Sequence, residues 1–288
     1  MAVKFFGQYL VEQGIISAEA ILAAIGLQER TNLKLGEMAL SLGLVSQDDI
    51  ERAHQSQLSK DMKLGDLLVS MGMLSQAQLE QLIARQKETH LYIGEALVKI
   101  GALTPKELDV HLAGFKADQA PYAIDRVELP AGLANAETWE MTVDLTYKMI
   151  TRVLDLRFKP ETCRVVDRLE ANFMVAALDL SGDVQARYLI SVSQEVQKQM
   201  ARAILHEDSV EHEPVEVLED CVMEFINVVC GNVAAKASQT GTTITINPPV
   251  ALHPPAEGLP TAPDSTTLCF PIHLEEANGM LLYLVVPR

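Results

Sequence analysis

The sequence predicts a multidomain protein in which an all-α module of four 29-residue helical repeats precedes an α+β domain with a mostly antiparallel sheet and long helices. Three observations predict it. Glycine, serine and glutamine recur at a step of 29 residues through the first 118. The step is lost over residues 119–135, where Pro121, Pro130 and Gly132 punctuate a stretch without a helical stripe, as in a linker. From 136 to 288 the chain runs as helix, three strands, two helices and three strands, the order of an α+β domain.

The repeat is exact in register. Gly7, Gly36, Gly65 and Gly94 are each 29 residues apart, as are Gly14, Gly43, Gly72 and Gly101. Ser17, Ser46, Ser75 and Thr104 keep the step, and so do Gln28, Gln57 and Gln86. In the third copy Leu64, Leu67, Leu68 and Met71 fall at helical spacing. Gly72 stands where a helix needs a left-handed terminator, and Ser75 is a good N-cap for the next helix. Leu79, Leu82 and Ile83 form that second helix's apolar stripe. Each copy is thus a short helix, a glycine turn and a longer helix. One such pair cannot bury its own apolar face, so stacked neighbours are expected to share a continuous core. Helix stops and starts alone would explain these glycines and serines.

Composition bounds the function. Lys+Arg is 23 and Asp+Glu is 39, a net charge of −16. Residues 1–120 hold 11 basic and 15 acidic side chains, and the remainder 12 and 24. This balance argues against non-specific nucleic-acid binding, which needs a basic footprint. It also argues against an anionic membrane surface as partner. No uncharged apolar run reaches the roughly 18 residues of a membrane span, and no signal peptide stands at the N-terminus, so the expected compartment is the cytoplasm. Cys163, Cys221, Cys230 and Cys269 lack CxxC spacing and read as ordinary buried thiols. His206, Glu207, Asp208, Glu211, His212 and Glu213 form an acidic patch, read as a solvated loop rather than a divalent-cation site.

The repeats resemble the MshEN-type domain of type II secretion and type IV pilus ATPases. That motif is a basic residue, Leu-Gly, an apolar pair, Gly, two apolar residues, then Leu-x3-Leu-x2-Gln. Lys34, Leu35, Gly36, Gly43 and Gln57 fall on it in copy two, and Lys63, Leu64, Gly65, Gly72 and Gln86 in copy three. The resemblance implies cyclic di-GMP bound between these copies. The family most often leads with Arg, a planar fork that Lys lacks. Copies one and four have Phe5 and Tyr92 there, copy two has Ile50 and Ala53 at the later leucine positions, and copy four has Phe115 in place of Gln.

In the second half, Glu137 to Phe158 reads as a helix with Trp139, Val143, Tyr147, Ile150 and Val153 on its apolar face. Strand-like runs follow at Cys163 to Leu169, Phe173 to Leu180 and Val184 to Val192, with a hairpin turn at Ser181-Gly182-Asp183. Two helices are expected at Gln194 to His206 and Val215 to Ser238. Strands are expected at Thr242 to Ile246, Thr267 to Leu274 and Leu281 to Val286. Asn278-Gly279 is a hairpin signal, and Pro248 to Pro263 reads as an exposed loop.

The segment Glu219 to Asn232 carries the chemistry. At about 100° per residue, with Leu218 at zero, Cys221, Val222, Phe225, Ile226, Val229 and Val233 fall on one side. Asp220, Glu224, Asn227 and Gly231 fall opposite. That second stripe lacks Lys and Arg and puts an Asn and a Gly inside a helix, both poor helix formers. A glycine there leaves room for another surface to approach.

Here the chain resembles the CheX/CheC/FliY chemotaxis phosphatases. Their signature, Glu-x2-Asn-x3-Gly-Asn on a long helix, is met by Glu224, Asn227, Gly231 and Asn232, and Asn247-Pro248-Pro249-Val250 is also similar. The resemblance implies hydrolysis of the aspartyl phosphate of a phosphorylated response-regulator receiver domain, with no cofactor of the chain's own and Mg²⁺ supplied by the receiver. Asn227 would orient the attacking water, as Gln does in small GTPases. Glu224 would pair with the receiver's lysine, and Asp220, Gly231 and Asn232 would meet the partner. Glu140 has Val143 rather than Asn three residues on, so one site per chain is expected. The family also implies a homodimer joined through the sheets. The competing expectation is a non-enzymatic cyclic di-GMP receptor or scaffold that docks a receiver or a secretion or pilus partner.

Overall fold

The computed structural model describes residues 4–58, 62–120, 127–170, 172–255, 257–275 and 279–288. The chain forms two compact units, Met1–Ala123 and Ile124–Arg288. Pro121 of the expected linker and Asn278 of the expected hairpin lie outside the described residues. Among the described residues no helix is long and apolar enough to cross a membrane.

The first unit is helical. Its elements are α1 (Phe6–Glu12), α2 (Ala18–Thr31), α3 (Leu35–Ser41), α4 (Gln47–Leu58), α5 (Leu64–Ser70), α6 (Gln76–Thr89), α7 (Ile93–Lys99) and α8 (Pro105–Gln119). Beyond each seven-residue helix stands a glycine with φ between 65° and 76°, namely Gly14, Gly43, Gly72 and Gly101. Such a φ costs glycine nothing and other residues strain. Ser17, Ser46, Ser75 and Thr104 then accept a bond from the backbone N–H three residues on, at 3.2–3.3 Å. Met71 and Ile83, expected on apolar faces, are instead exposed, because Met71 already lies in the turn and Ile83 on the rim of its stripe.

Among the described residues the expected continuous core does not form. Two separate cores do. Phe6, Leu10, Ile16, Ala24, Leu91, Ala96, Leu97 and Leu103 join the first and fourth copies. Met38, Ala39, Ile50, Ala53, Leu68, Leu74 and Leu82 join the second and third. The cause is an exchange of mates. Each short helix packs on its mate's long helix, α3 on α6 and α5 on α4, α1 on α8 and α7 on α2. Glutamines stitch the exchange: Gln57 Nε2 donates to Met62 O at 3.1 Å, Gln86 Nε2 to Leu33 O at 3.1 Å, and Gln28 Nε2 to Leu91 O at 2.8 Å.

Glycine eases the close approach of α3 and α5 to each other and to the long helices α4 and α6. A Cβ on Gly36 would stand 3.3 Å from Ile50 Cδ1 and 3.4 Å from Leu64 Cδ2. One on Gly65 would overlap the Leu79 side chain and lie 2.9 Å from Leu35 Cδ2.

The second unit opens with residues 127–135, whose Val127, Leu129 and Leu133 pack on its core, so this stretch belongs to the domain. Next comes α9 (Ala136–Arg152), shorter than the expected helix to Phe158. It ends near Asp155, at φ 53°, and Phe158–Pro160 becomes strand β1. The run 163–169 divides into β2 (Arg164–Val166) and β3 (Arg168–Leu169). Strands β4 (Met174–Gly182) and β5 (Ala186–Val192) form the expected hairpin, with Gly182 at φ 112°. Helices α10 (Gln194–Leu205) and α11 (Val215–Gln239) follow. Then come β6 (Ile244–Ile246), β7 (Val250–Leu252), β8 (Leu259–Pro260), β9 (Ser265–Leu274) and β10 (Met280–Pro287). The stretch 248–263 is therefore not simply a loop.

The main sheet runs β1-β9-β10-β5-β4-β6, with β2 on β9 and β7 on β4, and every pairing is antiparallel. Strand side chains alternate between faces. Met174, Ala176, Leu178, Tyr188, Ile190, Phe270 and Leu282 face one core with Trp139, Val143 and Met149 of α9 and Phe225 and Val229 of α11. Val175, Ala177, Leu189, Cys269 and Tyr283 face the other side. There the β3–β8 pair lies against them through Leu169 and Leu259. The Tyr188 hydroxyl lies 3.0 Å from Thr146 Oγ1, which pins α9 to the sheet with a satisfied buried polar pair.

Gly65→Ala is expected to destabilise the helical unit by about 1–3 kcal/mol through overpacking at the α3–α5 contact. Denaturant unfolding followed by circular dichroism, against the parent chain, reads that shift.

Candidate functional site

α11 is a two-faced helix of 25 residues. Leu218, Cys221, Val222, Phe225, Ile226, Val229, Val233 and Ala237 are buried, and they seat the helix on the sheet and its neighbours. The opposite stripe is open. Glu216, Asp220 and Glu224 are exposed, and Asn227 and Gly231 are half-exposed. A Cβ on Gly231 would meet nothing within 4 Å. That glycine therefore serves no packing within the chain, although it costs the helix up to about 1 kcal/mol relative to alanine.

The structure brings Asp220, Glu224, Asn227 and Gly231 to one surface but removes Asn232 from it. Asn232 is 5% exposed, and its Nδ2 donates to Val228 O at 2.8 Å, one turn back on its own helix. Its position, one residue past Gly231, turns it about 100° towards the interior. Its expected role in meeting a partner is therefore corrected to a structural one. On α9 the residue three beyond Glu140 is Val143, which is fully buried, so no matching amide accompanies the acid there.

One contact at the edge of the stripe escaped sequence reasoning. His253, just past β7, places Nε2 3.1 Å from Glu219 Oε1 and ties the Asn247–His253 segment to α11. Nothing in the local pattern pairs residues so far apart.

The second group of expected residues lies in the first unit. Lys34 and Lys63 are exposed N-caps of α3 and α5. Leu35 and Leu64 cross at the buried Gly36 and Gly65. Gln57 and Gln86 bond the backbone just before Lys63 and Lys34. These eight residues belong to one lobe. Gly43 and Gly72 stand at the far ends of α3 and α5, about 10 Å along each helix.

The remaining chemistry-bearing groups lie off the open stripe. Burial pushes the Cys163 thiol up to about 12 and the Cys221 and Cys269 thiols up to about 11, so they stay neutral at physiological pH. In the acidic patch, His212 Nε2 sits 3.4 Å from Glu207 and 3.0 Å from Glu213. Glu211 is held by Ser209, its own backbone neighbourhood and Arg202, which lower its carboxyl to about 2.

Residues 174–273 match the family model described as chemotaxis phosphatase CheX, a span that contains all of α11. The second unit thus carries a chemotaxis-phosphatase-like domain. No curated protein matches the chain. Among solved structures, the chemotaxis protein CheX of Desulfovibrio desulfuricans is similar at 14% identity and TM-score 0.46, over 52% of this chain and 99% of that one. A CheC-like protein of Shewanella oneidensis is similar at 16% and 0.45, over 53% and 99%. The CheX–CheY–BeF3–Mg²⁺ complex of Borrelia burgdorferi is similar at 17% and 0.43, over 52% and 97%.

Gly231→Ala is expected to leave thermal stability unchanged or to raise it by up to about 1 kcal/mol, the opposite of Gly65→Ala. A loss of stability would show that the space above Gly231 is filled within the chain.

Proposed function

We propose that the second unit hydrolyses the aspartyl phosphate of a response-regulator receiver domain. The observation that carries this is the open Glu224–Asn227–Gly231 stripe of α11, inside the span that matches the chemotaxis phosphatase model. An acyl phosphate is already activated, and its carboxylate leaves with the electron pair without needing a proton. A water oxygen forms the new bond to phosphorus in line as the bond to the aspartyl oxygen breaks. The water's proton passes to the phosphoryl oxygens, giving inorganic phosphate. An amide is no base near neutral pH, so Asn227 accepts a hydrogen bond from the water and fixes its orientation. Glu224, one turn away, pairs with the receiver's lysine, and Mg²⁺ enters with the receiver. Gly231 and Asp220 form the contact surface around them.

Catalytic release of phosphate from a phosphorylated receiver of the same organism is the test. Asn227→Ala is expected to lower turnover by about 100-fold or more while leaving thermal unfolding unchanged. Phosphate decay that the protein leaves unaltered in every receiver would overturn the assignment in favour of a docking protein.

The first unit is assigned to cyclic di-GMP. What supports this is the union of Lys34-Leu35-Gly36 and Lys63-Leu64-Gly65 in one lobe, with both lysines exposed. Two like loops facing each other suit a ligand with two like halves and two phosphates. The lobe of the first and fourth copies is different. Phe115 lies 5.3 Å from Phe6 and 5.5 Å from Tyr9, ring to ring, where the other copies have glutamine. Calorimetric titration of the full chain is expected to show one cyclic di-GMP per chain, with Lys63→Ala weakening it about tenfold, the share of one charge-assisted contact. No heat at high protein concentration would overturn this assignment. Equal phosphatase rates with and without saturating ligand would show that the two units are not coupled.

A further inference from the structure

The helical layer of the second unit carries more acid than its signature requires. α9 exposes Glu137, Glu140 and Asp144, and α11 exposes Glu216, Asp220 and Glu224. The two helices pack on each other over one face of the sheet, so both stripes point away from it. Only Glu137 and Glu216 lie in first turns. There the helix dipole favours a carboxylate, an effect that fades within a turn. Asp144 meets Lys148 at 2.7 Å. Among the described residues the other five acids take part in no ion pair. Lys198 and Arg202 of α10 bind Glu211 at 3.9 and 3.0 Å, and Arg152 and Lys236 sit in last turns.

We infer that this acidic face selects a receiver whose surface around its phosphorylated aspartate is net basic. The partner's class rests on the phosphatase assignment above, and the charge requirement comes from this surface. The stripe that carries Glu224 and Asn227 also carries the open space over Gly231. A partner seated there approaches well inside the Debye length of about 8–10 Å, where surface charges still act on each other. Unmatched acid against acid would slow encounter and weaken the complex. Acid against base raises the association rate, by up to about 10- to 1000-fold at low salt. The face thereby sorts among receivers that share the same phosphorylation chemistry but differ in surface charge.

The test uses the full chain and Mg²⁺-loaded, beryllofluoride-activated receivers of the same organism, some with basic and some with acidic faces around the aspartate. Binding is titrated at about 50 mM and about 500 mM salt. Two charge-reversed variants are compared: Glu137→Lys with Glu140→Lys on α9, and, as a control of equal charge, Glu257→Lys with Asp264→Lys, both exposed and remote from α9 and α11 in the sequence. Basic-faced receivers are expected to bind, about tenfold or more weakly at the higher salt. The α9 variant should lose about tenfold at low salt and the control under about twofold. Salt-insensitive binding, equal losses in both variants, or preference for acidic-faced receivers overturns the inference and leaves the phosphatase assignment standing. Salt-dependent binding without phosphate release overturns hydrolysis and supports the surface. Capture of no receiver overturns both.

Discussion

The burial of one side of α11 decides what the other side can do. Phe225, Ile226, Val229 and Val233 are fully buried against the sheet and α9. Each contributes about 1.5–3 kcal/mol by leaving water. A turn of the helix by one residue would expose part of that stripe and press Glu224 towards the core, where an unpaired charge costs several kcal/mol more. The helix is therefore locked about its own axis, and packing presents Glu224 and Asn227 outward. The Tyr188–Thr146 pair and the Glu219–His253 bridge hold what flanks it. A rigid helix on a sheet is a precise mount for the water-orienting role proposed for Asn227.

A different constraint organises the first unit. Its helices are too short to bury their own apolar faces, and the copies solve this by exchanging partners in nested order, first with fourth and second with third. Glycine at the crossing lets backbones approach, and the glutamine amides of three copies each tie a mate's loop. Identical architecture then holds unlike chemistry. Aromatic rings pack together in one lobe, while the other presents Lys34 and Lys63 to solvent. Divergence at a few positions of a shared frame gives the two lobes unlike surfaces.

Local features were legible in the sequence. A left-handed glycine, an N-cap serine and an amphipathic stripe are each set by residues a few positions apart. That is why Gly72, Ser75 and the two faces of α11 lie where the pattern puts them. Non-local features were not legible. Mate exchange depends on Gln28 reaching Leu91, which no window of sequence contains. Short strands were lost for a related reason. β1, β7 and β8 have two or three residues and exist because a neighbouring strand offers its edge, not because their own residues alternate. At the site, Asn232 shows the limit of a linear signature. It belongs to the same motif as Gly231, yet one step around the helix takes it out of reach and into a bond with Val228 O.

The acidity of the helical layer sets a physical problem whose solution assigns the work. A phosphoryl group is anionic, and unit charges about 4 Å apart at an effective dielectric near 20 repel by about 4 kcal/mol. A chain that brought Asp220 and Glu224 to such a group unaided would oppose the reaction. In the proposed reaction the cations therefore arrive with the partner, as a lysine and a divalent ion gathered round its own phosphorylated carboxylate. Under that condition Glu224 has a counter-charge to meet and no longer faces the phosphate alone. What remains for this chain is geometry, and a neutral amide suits geometry better than a carboxylate would. At position 227 a second negative charge would compete for the metal and the lysine, whereas asparagine offers a lone pair to water and adds no charge. Under the proposed function, setting an amide beside Glu224 on a stripe that lacks Lys and Arg leaves the electrostatics of the reaction to the partner.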